Sequence, residues 1–421
     1  MRDELLTMKR SWPQDVLAGM TVAIVALPLA LGFGVTSGAG AASGITTAIV
    51  AGLLAAIFGG SRFQVSGPTG AMTVVLVPII ASFGTTALLA VGLIAGLIII
   101  IFSALRLGRF MERIPWSVAE GFTLGIALVI ALQQLPLILQ VPRGEGTETL
   151  VVAWNSAANA IAQGVNIVSI VVVALTLAIK LAWSALMRRA AWKYSIPASA
   201  VAVVVMTTLA WALNLPVSRI GELPASDIFH FSFAWPTIDI FSLLYAGLAV
   251  AFLGAIESLL SARVADSMAA SRDGESAGHH QPNRELFGQG IATIGSALFG
   301  GMPATGAIAR TGVNVHAGAK TRLSAAVHAI ALVIMVFALG WLVSIIPTAV
   351  LAGVLLGTSW RIANPRSVAE ALRTTTLNKV TFLVTAVAVV TIDLIWGTLL
   401  GVLLHVIGTS VEKRRTSKLG K

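Results

Sequence analysis

Apolar runs recur along the whole chain, and the short connections between them hold most of its charge, which leaves few folds open. A helix that crosses the hydrocarbon core of a bilayer needs about 20 mostly apolar residues. With 57% hydrophobic and 11% charged residues among 421, the chain cannot cover itself with a polar shell in water, and the bilayer is its solvent. A charge at the bilayer centre costs about 3 kcal/mol on insertion scales, which accounts for the sparseness of charge within the runs. The same pattern argues against a soluble all-α domain.

Spans are expected at 14–34, 42–59, 68–83, 86–105, 115–137, 161–185, 195–214, 238–263, 286–300, 304–317, 323–345, 346–358, 378–392 and 394–411. The expected fold is therefore an all-α polytopic membrane protein with fourteen transmembrane segments. Two segments, 68–83 and 304–317, are short, and each opens on a cluster: Gly67-Pro68-Thr69-Gly70 and Pro303-Ala304-Thr305-Gly306. Both read as half-helices that start at membrane depth. Proline at a first helical turn sacrifices no hydrogen bond, and glycine lets backbone or ligand approach closely.

Fourteen spans put both termini and every even-numbered connection on one side. The basic residues test that count. Arg2, Lys9, Arg10, Arg106, Arg109, Arg113, Arg188, Arg189, Lys193, Arg272, Arg284, Lys320, Arg322, Arg361, Arg366, Arg373 and the tail with Lys413, Arg414, Arg415, Lys418 and Lys421 all fall on that side. The opposite loops offer Arg143 and Arg219. A missed early span would have scattered these charges over both faces. The expected location is a bacterial-type inner membrane with both termini cytoplasmic, and the start MRDELLTMKRSWPQD is too polar for a cleaved signal peptide. The net charge of +10 is thereby a matter of topology, since no basic stripe interleaved with exposed aromatics marks a nucleic-acid surface. The absence of cysteine excludes disulfides, thiolate metal sites and cysteine nucleophiles.

The two clusters occur in the same order in each half, apart from an insert near 270–284. Seven is odd, so residues 237–421 enter the membrane upside down relative to residues 1–236: a 7+7 inverted repeat, as in many secondary transporters. The two half-helices then meet near the midplane, where helix N-termini present free N–H groups and partial positive charge to an anion.

Among the charged residues within or beside the runs, Glu257 has Ser261 one turn onward on the same helix face, and an intramembrane acid is a functional hypothesis by default. Arg310, about a turn inside the second half-helix, either adds a fixed positive charge to an anion site or neutralises Glu257. Glu120, His328, Asp393 and His405 receive no role. His279 and His280 are read as part of a solvated loop rather than a metal site. An intramembrane enzyme would need a nucleophile, a metal cluster or an acid and base pair, and none stands out.

The stretches DVLAGMTVAIVALPLALGFGV at 15–35, FGGSRFQVSGPTGAMTVV at 58–75, AIESLLSARVAD at 255–266, ELFGQGIATIGSALFGGMPATGAIARTGVN at 285–314 and AGAKTRLSA at 317–325 resemble the sulfate permease (SulP) or solute carrier 26 family of anion transporters. Within it, QVSGPTGAMTVV looks most like the bicarbonate branch typified by BicA. The resemblance implies a UraA-like fold with a core domain from spans 1–4 and 8–11 and a gate domain from spans 5–7 and 12–14. It puts the anion at Leu29 and Phe33 on span one, Thr69 and Gly70 on span three, and Ala307, Ile308, Ala309 and Arg310 on span ten. It also makes Glu257 and Ser261 the cation-coupling residues. The bicarbonate branch has aspartate where this chain has Glu257 and a threonine where it has Ile308. A sodium ion would sit at Glu257 and Ser261; a proton would sit on Glu257, because a carboxyl withdrawn from water holds its proton more readily. The chain ends at VEKRRTSKLGK, where most members continue into a soluble STAS domain, so regulation or dimer contact through that domain is expected to be absent or supplied by another chain, and a homodimer is one assembly open to it.

The expected function is secondary active transport of small inorganic anions, sulfate or bicarbonate, by alternating access coupled to H+ or Na+, with no cofactor beyond the coupling ion. Dicarboxylate transport or anion exchange within the family, a nucleobase transporter of the same fold, an anion channel and a membrane scaffold without transport are the alternatives. A nucleobase site would offer carboxylates to pyrimidine N–H groups rather than Arg310, and a scaffold leaves the half-helix pair unexplained.

Overall fold

A computed structural model describes residues 2–111, 114–190, 197–223, 227–231, 236–273 and 279–419. Arg113, Lys193, Lys421 and the middle of the 270–284 insert lie outside the described residues. The first half holds α1 (Arg2–Ser37), α2 (Ala41–Phe58), β1 (Ser66–Gly67), α3 (Gly70–Phe83), α4 (Ala87–Ala104), α5 (Gly108–Met111), α6 (Trp116–Gln133), α7 (Leu135–Leu139), α8 (Thr149–Gln163), α9 (Ile167–Ala190) and α10 (Ala198–Ala212). The second holds α11 (Ile240–Asp273), α12 (Pro282–Leu298), β2 (Thr305–Gly306), α13 (Ile308–His316), α14 (Leu323–Ser344), α15 (Thr348–Ala363), α16 (Pro365–Leu372), α17 (Thr376–Thr391) and α18 (Leu394–Leu419).

Eight of the described helices are long and apolar enough to cross a membrane, and α3, α10 and α17 are shorter apolar helices. Adding α12, α13 and α15, which are largely buried among the others, gives fourteen spans. The short α7 continues the span of α6 to Leu139, and the short helices α5 and α16 and the amphipathic α8 lie in the connections.

The packing itself displays the inverted repeat. The contact of α1 with α14 is mirrored by α11 with α4, α12 with α4 by α2 with α14, α6 with α17 by α15 with α9, and α17 with α18 by α9 with α10. These mirrored contacts lie within two groups of helices, α1–α4 with α11–α14 and α6, α9 and α10 with α15, α17 and α18, and α1 with α15 and α3 with α6 pack between the groups. In the first group small residues bring backbones together: a Cβ on Gly96 would lie 2.7 Å from the Gly290 carbonyl oxygen, and a Cβ on Gly290 would lie 2.7 Å from that of Gly96. In lipid, where apolar burial drives little association, such close approach supplies the packing energy.

Connections of like parity gather at one end. Asp15, early in α1, accepts hydrogen bonds from the backbone N–H groups of Lys320 (2.7 Å) and Thr321 (3.0 Å) in the α13–α14 turn. Arg272, at the end of α11, donates to the carbonyls of Val315 and Ala319. The Asn283 side chain at the start of α12 accepts from the Gly108 N–H at 3.1 Å. At the other end the α10–α11 connection pairs with the α14–α15 turn through Ile220 N–H to the Ile346 carbonyl and Gly221 N–H to that of Ser344, both at 3.0 Å. Leu97, Ile334, Phe337 and Leu403 are exposed along the helices, and Trp116, Trp211, Trp341 and Trp396 are exposed near helix ends, the placement of an interfacial aromatic belt.

Three expectations are corrected. The sixth span begins at Ile167 rather than 161, because Gly164 takes φ +90° and the Asn166 side chain caps the Ser169 N–H at 3.2 Å. The tenth begins at Ile308 rather than 304, because Thr305 and Gly306 form a strand. His280 is not solvated: its ring is buried, with Nδ1 2.7 Å from the Asp266 carboxylate, whereas His279 stays in solvent.

Candidate functional site

Strand β1 pairs antiparallel with β2, Ser66 opposite Gly306 and Gly67 opposite Thr305. This crossing is where the two half-helices meet, and each leaves it in its own direction. Gly67, at φ +153°, is in a region closed to side chains, and a Cβ on it would sit 2.5 Å from the Arg310 Nη1.

Thr69 is the N-cap of α3, and its hydroxyl accepts from the Met72 N–H at 3.3 Å. The first N–H groups of any helix lack intrahelical partners, so those of Gly70 and Ala71 remain directed toward the crossing. Helix α13 has Ala307 at its N-cap and no side-chain cap, which leaves the N–H groups of Ile308 and Ala309 in the same condition. Two helix starts with uncapped donors therefore face one region from opposite directions.

Glu257 on α11 is half-buried and bound to both halves of the crossing. One carboxylate oxygen, Oε2, accepts from the Thr69 hydroxyl at 2.8 Å and from the Thr305 hydroxyl at 2.7 Å, and the two hydroxyls lie 3.0 Å apart. The other oxygen makes no hydrogen bond among the described residues. Ser261 turns away and donates to the Thr311 hydroxyl at 3.2 Å, so it does not share a ligand position with Glu257. Arg310, 1% exposed, donates from Nη2 to the Pro68 carbonyl at 2.6 Å and makes no ion pair with Glu257 among the described residues. Its guanidinium thus ties the second half-helix to the loop that opens the first. Leu29, Phe33, Thr69, Gly70 and Ala307 are buried, and Ile308 and Ala309 are half-buried.

The crossing rests on a polar platform that sequence reasoning passed over. Glu285, 2% exposed, accepts from the N–H groups of Gly60 (2.7 Å) and Ser61 (2.8 Å) and from the amides of Gln64 (2.8 Å) and Gln289 (2.9 Å). Four donors offset the desolvation of one carboxylate. Lys180, also missed, is buried between α9 and α15 and donates to the Val354 carbonyl at 2.9 Å and the Thr358 hydroxyl at 3.2 Å. His328 is fully buried. No group of three or more metal-binding side chains occurs among the described residues.

An inverted repeat with two crossed half-helices and a carboxylate bound across them defines a polytopic membrane transporter of UraA-like fold. The solved transmembrane domain of a cyanobacterial bicarbonate transporter, BicA, is similar with a TM-score of 0.78 at 29% identity, over 94% of this chain and 98% of that one. The murine solute carrier 26 member A9 anion transporter, at 17% identity and a TM-score of 0.82, shares the fold. The chain belongs to the sulfate permease family, whose model matches residues 13–385. YvdB of Bacillus subtilis, described by the term sulfate transporter, is 33% identical over 404 residues, 94% of this chain and 73% of that protein. BicA of Picosynechococcus is 34% identical over 356 residues, 81% of this chain but 60% of its own length.

Proposed function

We propose that the chain carries a small inorganic anion, sulfate or bicarbonate, across a bacterial inner membrane by alternating access, with both termini cytoplasmic. The anion lies between the starts of α3 and α13, at Thr69, Gly70, Ala307, Ile308 and Ala309, with Leu29 and Phe33 as its apolar wall and Arg310 as fixed positive charge behind it. The observation that carries this reading is the antiparallel crossing of β1 and β2, which turns two sets of uncapped N–H donors toward one place. In this reading α1–α4 and α11–α14 form the core, the other six spans form the gate, and the active assembly is a homodimer.

Glu257 is the coupling carboxylate. A proton needs only the carboxylate, whose second oxygen makes no hydrogen bond among the described residues, whereas a sodium shell would have to be built from Glu257 and the Thr69 and Thr305 hydroxyl oxygens without Ser261, which donates to Thr311. Proton coupling is therefore the favoured form. The test is uptake of labelled bicarbonate and of labelled sulfate into proteoliposomes, under an imposed proton or sodium gradient, with Glu257→Gln as control. Uptake driven by the proton gradient and lost in the control is the expected result. Sodium-driven uptake would overturn the coupling, and absence of uptake of either anion would overturn the substrate class.

A further inference from the structure

Gly70, the first residue of α3, does not face open space. A Cβ there would lie 2.1 Å from Cδ1 of Ile130, 2.8 Å from its Cγ1 and 3.2 Å from Cε1 of Phe33. Ile130 belongs to α6, in the other helix group, and is 2% exposed. Its carbonyl accepts from the Gln134 amide at 2.9 Å, and the Gln134 carbonyl oxygen accepts from the Thr36 hydroxyl at 3.3 Å. Beyond that pair lies a cavity of about 170 Å³ whose walls include Thr36, Val77, Gln133, Leu137 and Arg143. Arg143 is the one charged residue among its walls, so the cavity attracts anions. A larger cavity of about 560 Å³, between α3, α11 and the α17–α18 turn, is lined instead by Glu148 and Asp393, which repel them.

We infer that Ile130 is the outer plug of the anion site and that the Arg143 cavity is its outer vestibule. The side chain stands against the start of α3, in the path an anion must take from that vestibule to the Gly70 N–H. Opening to this side then requires α6 to withdraw Ile130 from Gly70 and to break the Thr36–Gln134 hydrogen bond. Leu29, Phe33, Thr69 and Gly70 are buried, as are Ala307 and Arg310, while Glu257, Ile308 and Ala309 are half-buried. The inference rests on the proposed anion position, and its test separates the two.

The chain has no cysteine, so a single reporter can be read without background. Leu29→Cys sits behind the plug. In intact cells treated with a membrane-impermeant thiol reagent, Ile130→Ala is expected to speed modification of that cysteine roughly tenfold, about 1.4 kcal/mol of lost closure. Ile130→Leu, which keeps the volume, should leave the rate near that of the parent. Thr36→Val, which removes the second barrier without touching the first, should also speed it. Equal rates in the parent, Ile130→Ala and Thr36→Val would overturn the plug. Protection of the cysteine by bicarbonate or sulfate supports the anion position as well. Acceleration without protection supports the plug and counts against the anion position alone.

Discussion

Because Thr69 and Thr305 donate to the same oxygen of Glu257, the loss of either hydroxyl leaves the carboxylate with one donor. Thr305→Val keeps the shape and removes the bond, and is expected to slow proton-driven uptake about tenfold, the equivalent of 1–2 kcal/mol for a hydrogen bond to a charged group. Glu257→Gln behaves differently, since an amide oxygen can still accept from both threonines. We expect exchange of internal for external anion to persist in that variant while accumulation against a gradient disappears, which counterflow and net uptake on the same vesicles distinguish. Gly67→Ala tests the scaffold rather than the site. At φ +153° with Arg310 Nη1 2.5 Å from the added carbon, it should lower stability by roughly 2–4 kcal/mol, read as a fall in the Tm of the purified protein. That Glu257 is a residue to account for was legible, because a carboxylate in a long apolar run is costly, and the structure ties it to both halves of the crossing. The role of Thr305 was not: threonines in membrane helices ordinarily bond their own preceding turn, as Thr176 does to the Val172 carbonyl and Thr385 to that of Thr381, both at 2.7 Å. Nothing in the residue type distinguishes a threonine that does so from one that reaches a carboxylate.

At the scale of elements, the half-helices were visible as two Gly/Pro/Thr clusters, but the strands between which they cross were not. A two-residue strand has no alternation to detect, and its pairing joins positions as far apart in the chain as Ser66 and Gly306. Glu285 and Asp15 were illegible for the related reason that their partners are mostly backbone N–H groups and polar side chains far away in sequence. Asp15 collects the Lys320 and Thr321 N–H groups, the Thr321 hydroxyl at 2.7 Å and the Ser11 hydroxyl at 3.1 Å, and so fixes the turn that follows α13 to the first span. Asp15→Ala leaves these buried donors without an acceptor and should destabilise the protein by about 3 kcal/mol or more. Asp15→Asn, which keeps one acceptor oxygen, should lose about half as much. Thermal unfolding followed by size-exclusion of the detergent-solubilised protein ranks the two. A turn anchored in this way holds α13 from its far end, so the Asp15 variants should also weaken anion protection at the crossing before they unfold the chain.

For the whole molecule, the two helix groups are each held by many close contacts, whereas among the described residues few side-chain hydrogen bonds run from one group to the other. One of those few is Thr36 on α1 to Gln134 beside α6, at 3.3 Å. Alternating access in which the first group moves against the second must break it in every cycle, whichever anion is carried. A chain without cysteine allows that requirement to be tested directly. Thr36→Cys with Gln134→Cys, joined by a short thiol-specific cross-linker, should stop uptake and exchange together, and reduction of a cleavable linker should restore both. Either single variant treated in the same way should keep its activity, since a one-ended adduct does not bind the groups together. Were the protein a channel with a continuous pore, or were the half-helices alone to move, the cross-linked protein would still pass anion. Full transport through a cross-linked pair would therefore exclude relative movement of the two groups, however well the crossing suits an anion. Loss that reverses on cleavage would show that the inverted repeat works as two bodies, with the site at the seam between them.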